Sequence, residues 1–306
     1  MRRERLIGFA SRAFAAANSG RARMVGQLLL LAGLVFVALR LRSIWRDSDL
    51  SLAQVRWAYI AIAVATAACG VVASSFIWLA ILRRLGVQTQ SAWAGIFLQA
   101  QVAKYVPGSF WQYAGRTALA RSRGIPLRTA AKSLPIELGA SAAAAGIFAI
   151  LFIGWWGVVG LALIFGAVIV VELAIGRIRF VMRAFLRATL LYGSVWLLIG
   201  TSFWMTARAL VAVRADDVPQ YFAAFATAWL IGLVAIYAPG GIGVREAVLV
   251  GLLRGKIGSA DALVVATASR GVLTSVDLLG AAFGYVVLRR ERPPTDHRGQ
   301  SAKSMT

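Results

Sequence analysis

Seven ionisable residues in an otherwise apolar chain could do chemistry: Lys104, Arg116, Glu137, Arg245, Glu246, Arg270 and Asp277. Four of them flank a short pattern that occurs twice, as Tyr105-Val106-Pro107-Gly108 and Tyr237-Ala238-Pro239-Gly240. Proline removes a backbone donor and glycine opens dihedrals closed to other residues, so each Pro-Gly should break a helix. A helix that restarts after such a break aims free N–H groups and the positive end of its dipole back at the break, which makes an anion site. Ser109 followed by Gln112 has the spacing of a capping box for that restart, and Gly243 with Glu246 is a less complete counterpart. The chemistry that these residues suit is phosphate binding. The candidate ligand-binding residues are Lys104, Pro107, Gly108, Ser109, Trp111, Gln112 and Arg116 in the first block, and Pro239, Gly240, Gly241, Arg245 and Glu246 in the second. A plainer reading competes at each: the cations snorkel to an interface or pair structurally, and Trp111 belongs to an aromatic belt.

The positioning elements follow from the composition. Of 306 residues 59% are hydrophobic, mean hydropathy is +0.74, and several apolar runs reach spanning length, as in an integral membrane protein. The net charge of +21 comes from arginines clustered beside apolar runs. That is the positive-inside pattern, so nucleic acid is not expected as a partner. The single cysteine, Cys69, lies in an apolar run and the single histidine, His297, in a polar tail, so neither disulfides nor a metal site nor a cofactor is expected. No nucleophile elbow or phosphate-cradling glycine loop is present, and the chain does not read as an enzyme.

In order, residues 1–24 form a basic cytoplasmic tail and 25–290 a polytopic membrane domain; 291–306 form a disordered cytoplasmic tail. Spans are expected over 25–41, 57–82, 134–156, 157–175, 189–207 and 262–288. Residues 93–103 are too short to cross and lead into the first Pro-Gly; 221–238 and 242–253 flank the second. Residues 221–238 are long enough to cross alone, but a full crossing would put the C-terminal arginines opposite the N-terminal cluster. The expectation is therefore an all-α membrane protein of about six full spans plus two re-entrant hairpins. The two halves then run in opposite orientations, as an inverted repeat. Residues 140–146, rich in alanine and glycine, suit close packing at the centre. Glu137, Arg270 and Asp277 form an intramembrane charge network, with Glu137 near enough to a helix end to be interfacial. Arg270 and Asp277 are seven apart and share a helix face.

At Ala103-Lys104-Tyr105-Val106-Pro107-Gly108 with Trp111, at Gly115-Arg116, and at the run from Pro239 to Glu246, the chain resembles the lysylphosphatidylglycerol synthase transmembrane-region family. The resemblance implies a prokaryotic inner-membrane protein related to the domain that flips aminoacylated phospholipids between leaflets. The soluble aminoacyl-transferase domain of longer members has no counterpart here, so lipid synthesis is not implied. The expected function is a flippase-like lipid translocator for an anionic, aminoacylated or polyprenyl-phosphate-linked lipid. Its partners would be membrane phospholipid or a lipid-linked substrate, with a homo-oligomer or a lipid-synthesis enzyme as further candidates. The rivals are an accessory subunit, a membrane-embedded transferase using Glu137, Glu246 and Asp277, and a small-solute transporter.

Overall fold

The computed structural model describes residues 39, 54–105, 111–153, 179–235, 241 and 243–291. The expected spans over 25–41 (Leu39 apart) and 157–175, both tails (Glu291 apart) and both Pro-Gly dipeptides lie outside the described residues.

Eight α-helices and no strand occur among the described residues: α1 Trp57–Arg84, α2 Ala94–Ala100, α3 Trp111–Ser122, α4 Leu127–Ile153, α5 Arg179–Leu210, α6 Val218–Val234, α7 Val244–Ile257 and α8 Ser259–Arg290. Four of them, α1, α4, α5 and α8, are long and apolar enough to cross a membrane. Their outward faces suit lipid, since large apolar side chains such as Leu190 (78% exposed), Leu279 (67%) and Phe283 (63%) have no protein cover. Their inward faces are narrow. Ala63, Ala67, Ala140, Ala145 and Ala207 are wholly buried, which lets neighbouring backbones approach closely. The alanine-rich run of α4 packs against α5 and α6, in one core with Trp196 and Phe225.

Two shorter helical hairpins fill the space between the long helices. The better defined is α6–α7. Near its tip Gly232 touches Arg245, and at its base Lys256 pairs with Asp217 at 2.8 Å, so the two helices run antiparallel. The α6 helix is 17 residues long and does not reach the length of the four spanning candidates. The other is α2–α3, with the 3₁₀ turn Gln101–Tyr105 extending α2 and Phe97 packed on Arg116.

One expectation needs correction. The span expected from residue 134 starts earlier: α3 continues to Ser122, the chain turns at Gly124 (φ +83°), and α4 begins at Leu127. The Pro126 carbonyl accepts from the N–H groups of Thr129 and Ala130, which starts α4 more than a turn before the apolar run that marks it in the sequence. Glu137 therefore lies ten residues inside the helix and is 7% exposed.

The hairpin α2 meets α8 at a glycine contact. A Cβ on Gly284 would sit 2.7 Å from the Gly95 carbonyl oxygen, whereas one on Gly280, a turn earlier, would meet only Leu98 at 3.7 Å. Gly284→Ala should cost about 1–3 kcal/mol through forced separation of two backbones. Gly280→Ala should be neutral or slightly stabilising through helix propensity. Thermal unfolding of the two variants in detergent checks this; equal midpoints would contradict it.

Candidate functional site

The flanks of both Pro-Gly motifs face one cavity of about 440 Å³ between the long helices. From the first hairpin come Gln101, Lys104, Tyr105, Gln112, Tyr113 and Arg116; from the second, Gly232, Gly241, Arg245 and Glu246. The α4 helix contributes Glu137, and α8 contributes Arg270 and Asp277. Aromatic and aliphatic side chains complete the wall, among them Phe97, Trp196, Phe225 and Trp229.

The charges inside are mostly paired. Arg116 donates through Nη1 to Glu137 Oε2, and both side chains are buried. Its guanidinium also lies 4.0 Å from the centre of the Phe97 ring and 5.6 Å from that of Trp78. Trp78 is itself fixed by donating Nε1–H to Ser133 Oγ at 3.0 Å, one turn before Glu137 on α4. Asp277 is 1% exposed and accepts from Lys104 Nζ at 2.6 Å and from the Tyr105 hydroxyl at 2.7 Å. Lys104 keeps 28% of its side chain accessible. Arg270 reaches Glu246 at 3.4 Å. Glu246 uses its other oxygen to accept from the Gly243 N–H at 2.7 Å, closing the first turn of α7. Gly243 has no side chain to return the bond, so only the reciprocal half of a capping box is made.

Arg245 differs from the other cations. Among the described residues it has no ion pair, and its buried Nε has no hydrogen-bond partner. The Trp229 ring centre lies 5.9 Å from its guanidinium carbon. Two glycines hold its stem. A Cβ on Gly232 would lie 2.6 Å from Arg245 Cγ, and one on Gly241, whose φ is +73°, would lie 2.8 Å from Nε. The side chain is thus threaded along a glycine-lined track into the cavity. An unpaired guanidinium whose Nε is buried is costly, and such costs concentrate where a ligand supplies the missing partner.

Of the residues singled out from sequence, Lys104, Gln112, Arg116, Glu137, Gly241, Arg245, Glu246, Arg270 and Asp277 share this cavity. Trp111 opens α3, is 38% exposed, and does not line it. Pro107, Gly108, Ser109, Pro239 and Gly240 lie outside the described residues. Sequence reasoning missed Gly232, Trp196 and Trp229. Nothing in an apolar helix distinguishes a glycine that clears a path for a neighbour's side chain from one that fits against another helix. The single hint was density, with Trp229 three residues before Gly232 in the run that leads to the second motif. Comparison with models of protein families, with curated proteins and with solved structures finds no match for this chain.

Proposed function

We propose that this chain is a membrane lipid translocator that passes an anionic lipid headgroup through the cavity between its two hairpins. The observation that carries the reading is the convergence of both motif flanks on one cavity that is charged at its hairpin tips and apolar along its wall. Such a cavity has a place for both ends of an amphiphile: a polar group against the tips, and the start of the acyl chains against Phe97, Trp196, Phe225 and Trp229. On this reading α2–α3 and α6–α7 are re-entrant hairpins, irregular backbone being tolerated at membrane depth only where protein or a cavity surrounds it. With the remaining spans they form two opposed halves that rock about the site. The same reading places the chain with the lysylphosphatidylglycerol synthase transmembrane-region family in the prokaryotic inner membrane, both termini cytoplasmic.

The test is transfer of a fluorescent phosphatidylglycerol between leaflets of proteoliposomes, followed by dithionite quenching. Arg245→Gln should lower the transfer rate by about 100-fold, the loss of one strong charge-assisted contact in a desolvated site. It should leave the amount of folded protein unchanged, because the guanidinium has no ion pair to lose. Parent-like transfer by this variant would refute the assignment.

A further inference from the structure

The charge inside the cavity defines the charge of what it holds. The described residues lining it bring four cations, Lys104, Arg116, Arg245 and Arg270, against three carboxylates, Glu137, Glu246 and Asp277. Residues 106–110 and 236–240, which link the motif flanks in sequence, contain no ionisable group other than Tyr237. Each carboxylate is committed to a different cation, which leaves a surplus of one positive charge on Arg245. Desolvated charge is tolerated only when balanced, so a ligand of a single negative charge neutralises the site, while a second charge would be left over.

Resting on the lipid reading of this cavity, we propose that it selects a singly charged phosphodiester, bound by Arg245 at the N-terminus of α7, over a doubly charged phosphomonoester. The α7 helix is 14 residues long, and its Val244, Arg245 and Glu246 N–H groups sit in the first turn, where no earlier carbonyl of the helix can accept from them. A diester phosphate presents two free oxygens, enough for one guanidinium edge and one backbone donor. Gly232 is then a positioning residue. It touches no ligand, yet any side chain there would push the Arg245 stem off its track.

The experiment uses the purified full chain in an uncharged detergent. Tryptophan emission is read as three probes are titrated: dihexanoyl phosphatidylglycerol, dihexanoyl phosphatidic acid at pH 8, and water-soluble glycerophosphoglycerol. Trp196 and Trp229 line the cavity and report its occupancy. The expected result is preference for phosphatidylglycerol over phosphatidic acid, with affinity lowered about 100-fold in Arg245→Gln and about 10-fold in Gly232→Ala, which keeps the charge but displaces it. Glu246→Gln raises the surplus to two and should reverse the preference toward phosphatidic acid, a shift that a merely structural role would not produce. Tighter binding of phosphatidic acid by the parent overturns the proposal, and so does an unchanged preference in Glu246→Gln or unchanged affinity in both Arg245→Gln and Gly232→Ala. Should glycerophosphoglycerol bind as tightly as phosphatidylglycerol, with the same dependence on Arg245, the diester site stands and the lipid reading of the cavity falls.

Discussion

Glu137→Gln should destabilise the folded protein by about 3–5 kcal/mol, because it leaves a charged guanidinium buried without its counter-ion. Arg116 is 2% exposed and has nowhere to turn, with Phe97 on one face, Trp78 and Tyr113 close by, and its Nε already lacking a partner. Glutamine keeps the shape and one acceptor but not the charge. The pair joins α3 to α4, and the rings stacked on it come from α1 and α2, so losing the charge loosens four elements at once. The thermal midpoint in detergent should fall accordingly. The double variant Arg116→Met with Glu137→Leu should regain most of that loss, since removing both partners removes the desolvation cost together with the attraction. This comparison also separates two roles for Arg116. If its charge reaches the ligand, the double variant will fold but transfer no lipid; if it only braces the cavity, transfer will recover with stability. The committed pairing with Glu137 favours the second outcome. A single variant as stable as the parent would show that the pair is not buried as described.

The membrane class and the helical fold were legible because apolar length is a property of composition and survives any arrangement of neighbours. The charged residues of the site were legible for the same reason: an ionisable group within a long apolar run has few places to go. Their pairings were not. Nothing in the sequence links Lys104 to Asp277, 173 positions apart, or sends Arg116 to Glu137 rather than to a phosphate. Both depend on how the hairpins lie against α4 and α8. The late start expected for α4 has a local cause. The first ten residues of α4 carry Arg128 and Lys132 and include Pro135, so hydropathy alone starts the helix too late. Pro135 is the ninth residue of α4, past the first turn, so the helix there gives up the ladder bond to the Ala131 carbonyl and takes on the crowding that an interior proline brings. Gly232 and Gly241 show the opposite limit. Their importance comes from what occupies the space beside them, which is a tertiary fact.

Asp277→Asn is expected to be more damaging to function than any change in the first hairpin itself. The carboxylate ties α8 to the 3₁₀ turn Gln101–Tyr105, through the Lys104 ammonium and the Tyr105 hydroxyl. These contacts bridge what the inverted-repeat reading makes the two halves of the protein. A pair between the halves must hold in one state and break in the other if they rock. Neutralising Asp277 leaves Lys104 facing Arg245 and Arg270 across the cavity with no nearby compensation, at a cost of about 3–5 kcal/mol in the state the structure shows. Transfer should drop to background and the thermal midpoint should fall with it. Lys104→Met combined with Asp277→Leu removes both charges and should restore the midpoint. Because Asp277 is 1% exposed and Lys104 28%, raising the salt concentration should lower the parent's midpoint less than it would for a fully exposed pair. If the double variant folds and still transfers at the parent's rate, the Lys104–Asp277 contact is a structural tie and not a moving part. If it folds but transfers nothing, the contact is the latch between the halves, and Tyr105, left without its acceptor, is the next residue to replace.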